Sequence, residues 1–475
     1  MRARIFAEDN RKWLTLAAVS VGLFMIMLDN TVVNVALPSI QRDLDADLSE
    51  LQWIVTGYAL TFAALLLIGG KLADAYGRRK IFVLGIVVFT LASLLCGLAG
   101  SSEMLIGARV LQGAGAALMN PATLSIIAAT FPPRQRGTAI GIWAGVSALA
   151  LVIGPLVGGL ITEYLDWSWI FFVNVPIGIL GIVASYLFID ESCDETHVRL
   201  DLPGLATSAV GLFALTYGLI EANTYGWSST RIVGSFVLAG VSLFAFVLLE
   251  RHQRDPMLPL ELFRDGTYTG ANLVLLLVAL AMFGVFFFVS LYMQNILGYS
   301  PVQAGAAFLP MTILIILVAP VAGKTSDRIG SRGLMTAGMV LIATQLVMLS
   351  RLSADASYWD LFPALLIGGV GMSLTMTPST AAATRSVPVD KAGVGSAVLN
   401  SARQVGGTMG IALMGAIMAE KAGGERTPEA FMRGFESALL VAAGIAIVGA
   451  VVAFTLVRPH DGAGAPERAT AEPAA

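Results

Sequence analysis

The chain has 475 residues, 56% of them hydrophobic and 13% charged, with a mean hydropathy of +0.78 and a formal net charge of −3. A soluble globular chain carries about 25% charged residues, so roughly half of the usual surface charge is missing, which excludes a soluble enzyme built around one large core. Apolar runs take its place, for example 13–28, 81–100 and 273–291, and about 20 predominantly apolar residues are what a helix needs to cross the hydrocarbon core of a bilayer.

In chain order the sequence opens with a polar, basic segment, 1–12, carrying Arg2, Arg4, Arg11 and Lys12. The apolar run behind it is longer than the core of a signal peptide and reads as a retained first span. Counting each run bounded by charge or turn residues predicts about fourteen helices. They fall at 13–37, 50–70, 81–100, 103–124, 137–161, 167–189, 204–221, 231–250, 268–294, 302–322, 333–350, 359–380, 391–419 and 434–457. With both termini cytoplasmic, about twenty-one of the Lys and Arg residues fall on cytoplasmic segments and about six on outer loops. Arg109 and Arg403 fall within spans. A tail from 459 onward, rich in Ala, Gly, Pro and charge, is predicted to be disordered. Cys96 within a span and Cys193 in a loop imply no disulfide framework.

The first span carries Asp29, followed by Asn30 and Asn34. A carboxylate inside a span is expensive and marks a functional site by default. It lies about 24 Å along its helix, and Arg109 about 9 Å below the outer end of the fourth, at 1.5 Å per residue, so the two share a depth. Burial favours the neutral carboxyl and a nearby arginine favours the carboxylate. A pair that switches with conformation could take a proton outside and release it inside; the alternative is that Asp29 orders a bend near the two asparagines.

The second and third spans are joined by Gly70-Lys71-Leu72-Ala73-Asp74-Ala75-Tyr76-Gly77-Arg78-Arg79, which recurs as Gly323-Lys324-Thr325-Ser326-Asp327-Arg328-Ile329-Gly330-Ser331-Arg332. Gly, Lys, Asp, Gly and the final Arg coincide, both copies on the predicted cytoplasmic side, as parallel repeats require. The repeat divides the chain into a basic N-terminus (1–12), a six-helix bundle (13–190), an inserted helix pair with its flanks (191–266), a second six-helix bundle (267–458) and the tail (459–475). The fifth span is glycine-dense, with Gly137, Gly141 and Gly145 and then Gly154-Pro155-Leu156-Val157-Gly158-Gly159. Small residues four apart permit close helix packing, and Pro155 removes a backbone hydrogen bond and kinks the helix.

These segments, with Leu28-Asp29-Asn30-Thr31-Val32-Val33-Asn34-Val35-Ala36-Leu37-Pro38, Arg109-Val110-Leu111-Gln112-Gly113 and Trp169-Ile170-Phe171-Phe172-Val173-Asn174-Val175-Pro176, resemble the motifs of the major facilitator superfamily, in its fourteen-span drug:proton antiporter branch (EmrB/QacA-like). The resemblance covers nearly the whole chain. It implies an all-α membrane protein with two six-helix bundles plus two extra central helices, in the plasma (inner) membrane. It implies proton-coupled efflux of small amphipathic, often cationic, compounds by alternating access, with Asp29 and Arg109 in proton coupling. Gly70, Asp74, Gly77, Arg78, Arg79, Asp327, Arg328 and Gly330 would form a cytoplasmic latch, with the start of the thirteenth span near Lys391 as partner of Asp74. Gly141, Gly145, Gly154, Pro155, Gly158 and Gly159 would form the antiporter-motif helix that separates exporters from importers. Asn34, Tyr58, Gln112, Met119, Asn120, Trp143, Phe283, Phe287, Met311 and Arg403 are candidates for the substrate cavity. Arg403 is either one of these or a structural arginine bonded to backbone carbonyls.

Val318 stands where a nucleotide-binding loop ending in Gly323-Lys324-Thr325 needs its first glycine, so the proton gradient, not a bound cofactor, is the expected energy source. His197, His252 and His460 fall in cytoplasmic segments, away from any intramembrane relay or metal site. No nucleophile–base–acid arrangement suggests an enzyme, and nothing suggests nucleic acid. The expected partners are a small molecule, protons and the bilayer; a periplasmic adaptor is left open. Export of one endogenous metabolite or lipid precursor, and proton-coupled import, stand as rival functions.

Overall fold

The computed structural model describes residues 8–193, 201–253, 256–388, 391–423, 425 and 427–459; the expectations for 1–7 and for the tail beyond 459 lie outside these. The described residues are helical and without strands. We number the long helices α1 (Glu8–Asp43), α2 (Leu48–Tyr76), α3 (Arg78–Gly97), α4 (Ser102–Thr130), α5 (Pro133–Tyr164) and α6 (Trp169–Phe188). There follow α7 (Leu202–Tyr225), α8 (Thr230–His252), α9 (Gly266–Leu291) and α10 (Pro301–Ile329). The last are α11 (Ser331–Leu349), α12 (Tyr358–Ser386), α13 (Ala392–Ala422) and α14 (Pro428–Leu456). Thirteen are long and apolar enough to span a membrane. The remaining one, α13, is as long as its neighbours, but Asn400, Ser401, Arg403, Gln404 and Thr408 make it more polar.

Local chemistry sets the ends and breaks. Asp47 and Glu50 form a capping box at the start of α2, and Ser300 and Gln303 form one at the start of α10. α6 is interrupted at Val173, where Pro176 cannot donate and its ring meets the carbonyl four residues back. Pro310 does the same to α10, which breaks at Phe308. Gly77 and Gly330, equivalent positions of the internal repeat, both adopt positive φ (110° and 89°) and turn α2 into α3 and α10 into α11. Only glycine takes that backbone freely.

α1 packs against α5, α4 and α6, and α2 and α3 against α4; α11 packs against both α12 and α14, which in turn flank α9, and α9 lies along α13. α8 packs on α7, and α7 lies against both α2 and α13. α8 leaves Val233, Val237, Val241 and Phe244 exposed at 47%, 59%, 62% and 67%. A contiguous apolar face of this kind is not a water-facing surface, and the chain is an integral membrane protein.

The loops between odd- and even-numbered helices (the α1–α2 end) and those between even- and odd-numbered ones (the α2–α3 end) behave differently. At the α1–α2 end α1–α6 meet α9–α14 through named bonds. Gln52 Nε2 donates to Ile411 O (2.7 Å), Ser290 Oγ to Asn34 O (2.9 Å), Gln294 Nε2 to Val35 O (2.9 Å) and Asn295 Nδ2 to Gln41 Oε1 (3.3 Å). Glu163 on α5 accepts from Ser300 Oγ (2.6 Å) and Val302 N (2.9 Å), at the start of α10. α7 straddles the same seam: Trp53 Nε1 on α2 donates to Glu221 Oε1 (3.0 Å), and Asn223 Nδ2 donates to Ala416 O on α13 (2.8 Å). At the α2–α3 end the aspartate of each copy of the repeated loop pairs within its own half, Asp74 with Arg78 and Asp327 with Arg385, while Lys71 and the backbone of Arg78 and Arg79 reach the inserted segment at Pro256, Ser192 and Glu191.

Candidate functional site

Helices α1, α3 and α4 bring four polar side chains, Asp29, Ser93, Arg109 and Gln112, to one buried point, to which α2 adds a carbonyl and a ring. Asp29 and Arg109 are each 1% exposed, and Gln112 is fully buried. Arg109 Nη1 donates to Asp29 Oδ2 (2.5 Å) and to Gln112 Oε1 (2.6 Å), while Gln112 Nε2 donates to the second carboxylate oxygen of Asp29 (2.9 Å) and to Ser93 Oγ on α3 (2.7 Å). Arg109 Nε donates to the Ile54 carbonyl of α2 (3.0 Å). Its guanidinium sits 4.3 Å from the ring centre of Tyr58 and 5.7 Å from that of Phe171. The Asp29 carboxylate thus lies between two donors, and the arginine has a carbonyl and an aromatic face as further partners. Asn30 and Asn34 turn inward on their own helix: Asn30 Nδ2 donates to Ile26 O and Asn34 Nδ2 to Asn30 O.

Arg109 and Gln112 are three residues apart on α4 and so share a face. Gln112 was expected at the cavity wall; it bridges the ion pair instead. Tyr58, Met119, Phe287 and Met311 are also buried among their own neighbours, because long apolar or aromatic side chains on these helices fill helix–helix contacts, and the short amide of Asn120 is buried with them. Asn34, Trp143, Phe283 and Arg403 are the cavity candidates that remain partly exposed, with Trp143 Nε1 donating to Thr123 Oγ1 (3.0 Å).

The glycine-dense α5 divides in two. Gly154 abuts Thr31, Gly158 the backbone at Val32 and Gly159 the carbonyl of Pro301, and a Cβ at any of them would collide. Gly137, Gly141 and Gly145 face open space, so the close packing anticipated along the whole helix occurs only around Pro155, at the α1–α2 end. The latch expectation also differs from the structure. Asp74 pairs with Arg78 of its own loop (2.9 Å), and Lys391 at the start of α13 pairs with Glu261 (3.3 Å). Arg79 donates to Ile189 O, and Glu191 accepts from the backbone of Arg79 and Lys80. In the second copy Asp327 pairs with Arg385 (2.7 Å). Arg328 and Gly330 end α10 beside it, and Gly70 rests against Pro121. Among the described residues neither aspartate of the repeat pairs across to the other half. Sequence reasoning missed the residues of the opposite seam, Gln52, Glu163, Gln294 and Asn295; their signal is the occurrence of amides and an acid at helix ends in otherwise apolar surroundings.

A family model described as Major Facilitator Superfamily matches residues 19–411 and 273–475. The tetracenomycin C resistance and export protein of Streptomyces glaucescens is 37% identical over 414 residues, covering 87% of this chain and 77% of that protein. The multidrug resistance protein Stp of Mycobacterium tuberculosis is 37% identical over 407 residues, covering 86% and 76%. A bacterial homologue of the human lysosomal transporter Spinster, solved in an inward-facing, unoccupied conformation, superposes with a TM-score of 0.66 at 17% identity, covering 94% of this chain and 97% of that one.

Proposed function

Because this chain belongs to the major facilitator superfamily, we propose that it is a proton-driven exporter of small amphipathic compounds, of the drug- and antibiotic-resistance type. The observation that carries the coupling reading is the buried Asp29–Arg109–Gln112 group. A proton arriving at Asp29 removes the charge that holds Arg109 Nη1. The arginine then rests on the Ile54 carbonyl and the Tyr58 ring, and α1 is released from α4. Loss of that proton to the other side restores the pair. One proton moving inward across 100 mV supplies about 2.3 kcal/mol and each pH unit about 1.4 kcal/mol. At one proton per molecule this supports export against roughly a hundredfold gradient or somewhat more.

In this reading the α2–α3 end, with its repeated Lys and Arg residues, faces the cytoplasm of a cell whose plasma membrane holds the protein, and both termini lie on that side. The seam at the α1–α2 end is then the closed outer gate, and the conformation is open inward. The two halves are the segments 13–190 and 267–458, with 191–266 inserted between them. The loop at Asp74 latches the halves in the opposite conformation, and the glycines around Pro155 keep the outer gate tight, which favours export over import. Dedication to one compound is the second reading, supported by the relative whose name specifies a single antibiotic.

The test is ethidium efflux from energised cells, with wild type and Asp29→Asn at matched membrane levels. The expected result is loss of uphill efflux in the variant, and equal loss in wild type on adding a protonophore. Efflux that survives both refutes proton coupling at Asp29. Protection against several unrelated compounds supports a broad exporter, and protection against one alone supports a dedicated one.

A further inference from the structure

Arg109 and Arg403 both sit inside long helices, but their donors are used differently. Arg109 has a carboxylate, an amide oxygen, a carbonyl and an aromatic face. Among the described residues Arg403 reaches the Asn400 side-chain oxygen one turn earlier on α13 (3.2 Å) and no other acceptor, and its buried Nε has none. Among the described residues no carboxylate pairs with it. A structural arginine in this setting would direct its donors at backbone carbonyls, as Arg109 does at Ile54; Arg403 makes no such bond among the described residues.

The guanidinium opens instead on a cavity of about 80 Å³ between α9, α12 and α13. Leu275, Met376 and Leu399 supply an apolar wall, and Ser396 a hydroxyl; the Thr380 hydroxyl, which rests on Met376 O (2.9 Å), and the Asn400 amide, with one donor on Ser396 O (3.2 Å), line the same space and can turn to a ligand. Arg403 lies eleven residues beyond the first residue of α13, about 17 Å at 1.5 Å per residue, far from either end of that helix. A cation at that depth without a counter-charge is costly and calls for a partner. Guanidinium, planar and forked, matches a carboxylate or a similar oxyanion best. An apolar wall beside one such cation fits a compound with a hydrocarbon or aromatic body and one acidic group.

We propose that Arg403, with Asn400, Ser396 and Thr380, forms the subsite for the acidic group (carboxylate, enolate or phenolate) of an amphipathic cargo. The proposal rests on the export reading for the direction in which that cargo moves, and it narrows the cargo from amphipathic compounds in general to those bearing an acid. The site lies on the opposite half from Asp29, so proton and acid need not compete for the same group.

The test uses the full chain in lipid nanodiscs, with fluorescence titration by pyrenebutyrate and by its methyl ester, empty nanodiscs subtracted. Wild type is expected to bind the acid at least tenfold more tightly than the ester. Arg403→Gln should abolish that preference by weakening the acid alone, and Arg403→Lys should keep part of it. Thr380→Val, at the exposed rim, should reduce the preference severalfold without altering the melting profile, and it provides the reading if Arg403→Gln fails to fold. A wild type without preference for the acid, including one that binds neither probe, overturns the proposal. So does an Arg403→Gln protein that retains the preference or weakens both probes equally. Acid-selective binding by a protein whose efflux ignores protonophore and Asp29→Asn would refute the coupling reading while leaving the subsite standing.

Discussion

Charges inside an apolar helix are rare enough to be noticed without coordinates, and Asp29 and Arg109 are legible for that reason. Their common depth follows from counting residues along two helices. What holds Arg109 in place is less visible: Ile54 contributes a backbone carbonyl, and Tyr58 is one aromatic residue among many until its ring is found under the guanidinium. That support can be taken apart. Tyr58→Phe keeps the ring and removes a hydroxyl whose partner is Asn30 at 3.4 Å, so proton-driven efflux should stay within about twofold of wild type. Tyr58→Leu loses a cation–π contact worth up to about 2 kcal/mol when desolvated, and efflux should fall about tenfold or more. Gln112→Leu leaves Asp29 Oδ1 and Ser93 Oγ without their amide donor, a loss of about 1–3 kcal/mol; initial efflux rates at matched expression should again drop about tenfold. A Gln112→Leu protein with wild-type rates would mean that the amide is a spectator to the pair.

At the level of single helices, apolar length alone locates thirteen of the fourteen, α13 being too polar, and the positive-φ glycines of the repeat mark the same turn in both halves. Which face of a helix meets which neighbour was not legible. All six of the α5 glycines are small, yet only those near Pro155 are pressed against α1 and α10, while the other three face open space, since the two ends of α5 meet different surroundings in this conformation. This asymmetry sets an expectation. A side chain at Gly159 must displace the carbonyl of Pro301, so Gly159→Val should loosen the α5–α10 contact, whereas Gly141→Val meets nothing in this state. Labelling of Gln41→Cys by a membrane-impermeant maleimide, in a Cys193→Ser background because Cys193 is the exposed native thiol, should rise severalfold with Gly159→Val. It should not rise with Gly141→Val. Equal labelling in both would show that the glycines at Pro155 do not govern closure of the α1–α2 end.

At the scale of the whole molecule, conformation is the property that a sequence with an internal repeat leaves open, because the repeat fits an arrangement closed at either end. The two ends resolve it differently. At the α1–α2 end the bonds cross between the halves, at Gln52, Ser290, Gln294, Asn295 and Glu163, and α7 lies across the seam. At the α2–α3 end Asp74 and Asp327 pair with arginines of their own halves. If transport proceeds by alternating access, the crossing bonds must break in every cycle; in the latch reading, Asp74 then exchanges Arg78 for a partner across the gap. Gln41 and Asn295 touch across the seam at 3.3 Å, and both are half-exposed or exposed, so they offer a handle on this motion. A Gln41→Cys, Asn295→Cys pair in the Cys193→Ser background should be bridged by a short bifunctional thiol reagent. Bridging should stop efflux almost completely, and reduction of a cleavable bridge should restore it. Each single cysteine, treated identically, should retain efflux. Continued efflux through a fully bridged protein would mean that the outer seam need not open for the compound to leave, and a rocking motion of the two halves would then be the wrong description of the cycle.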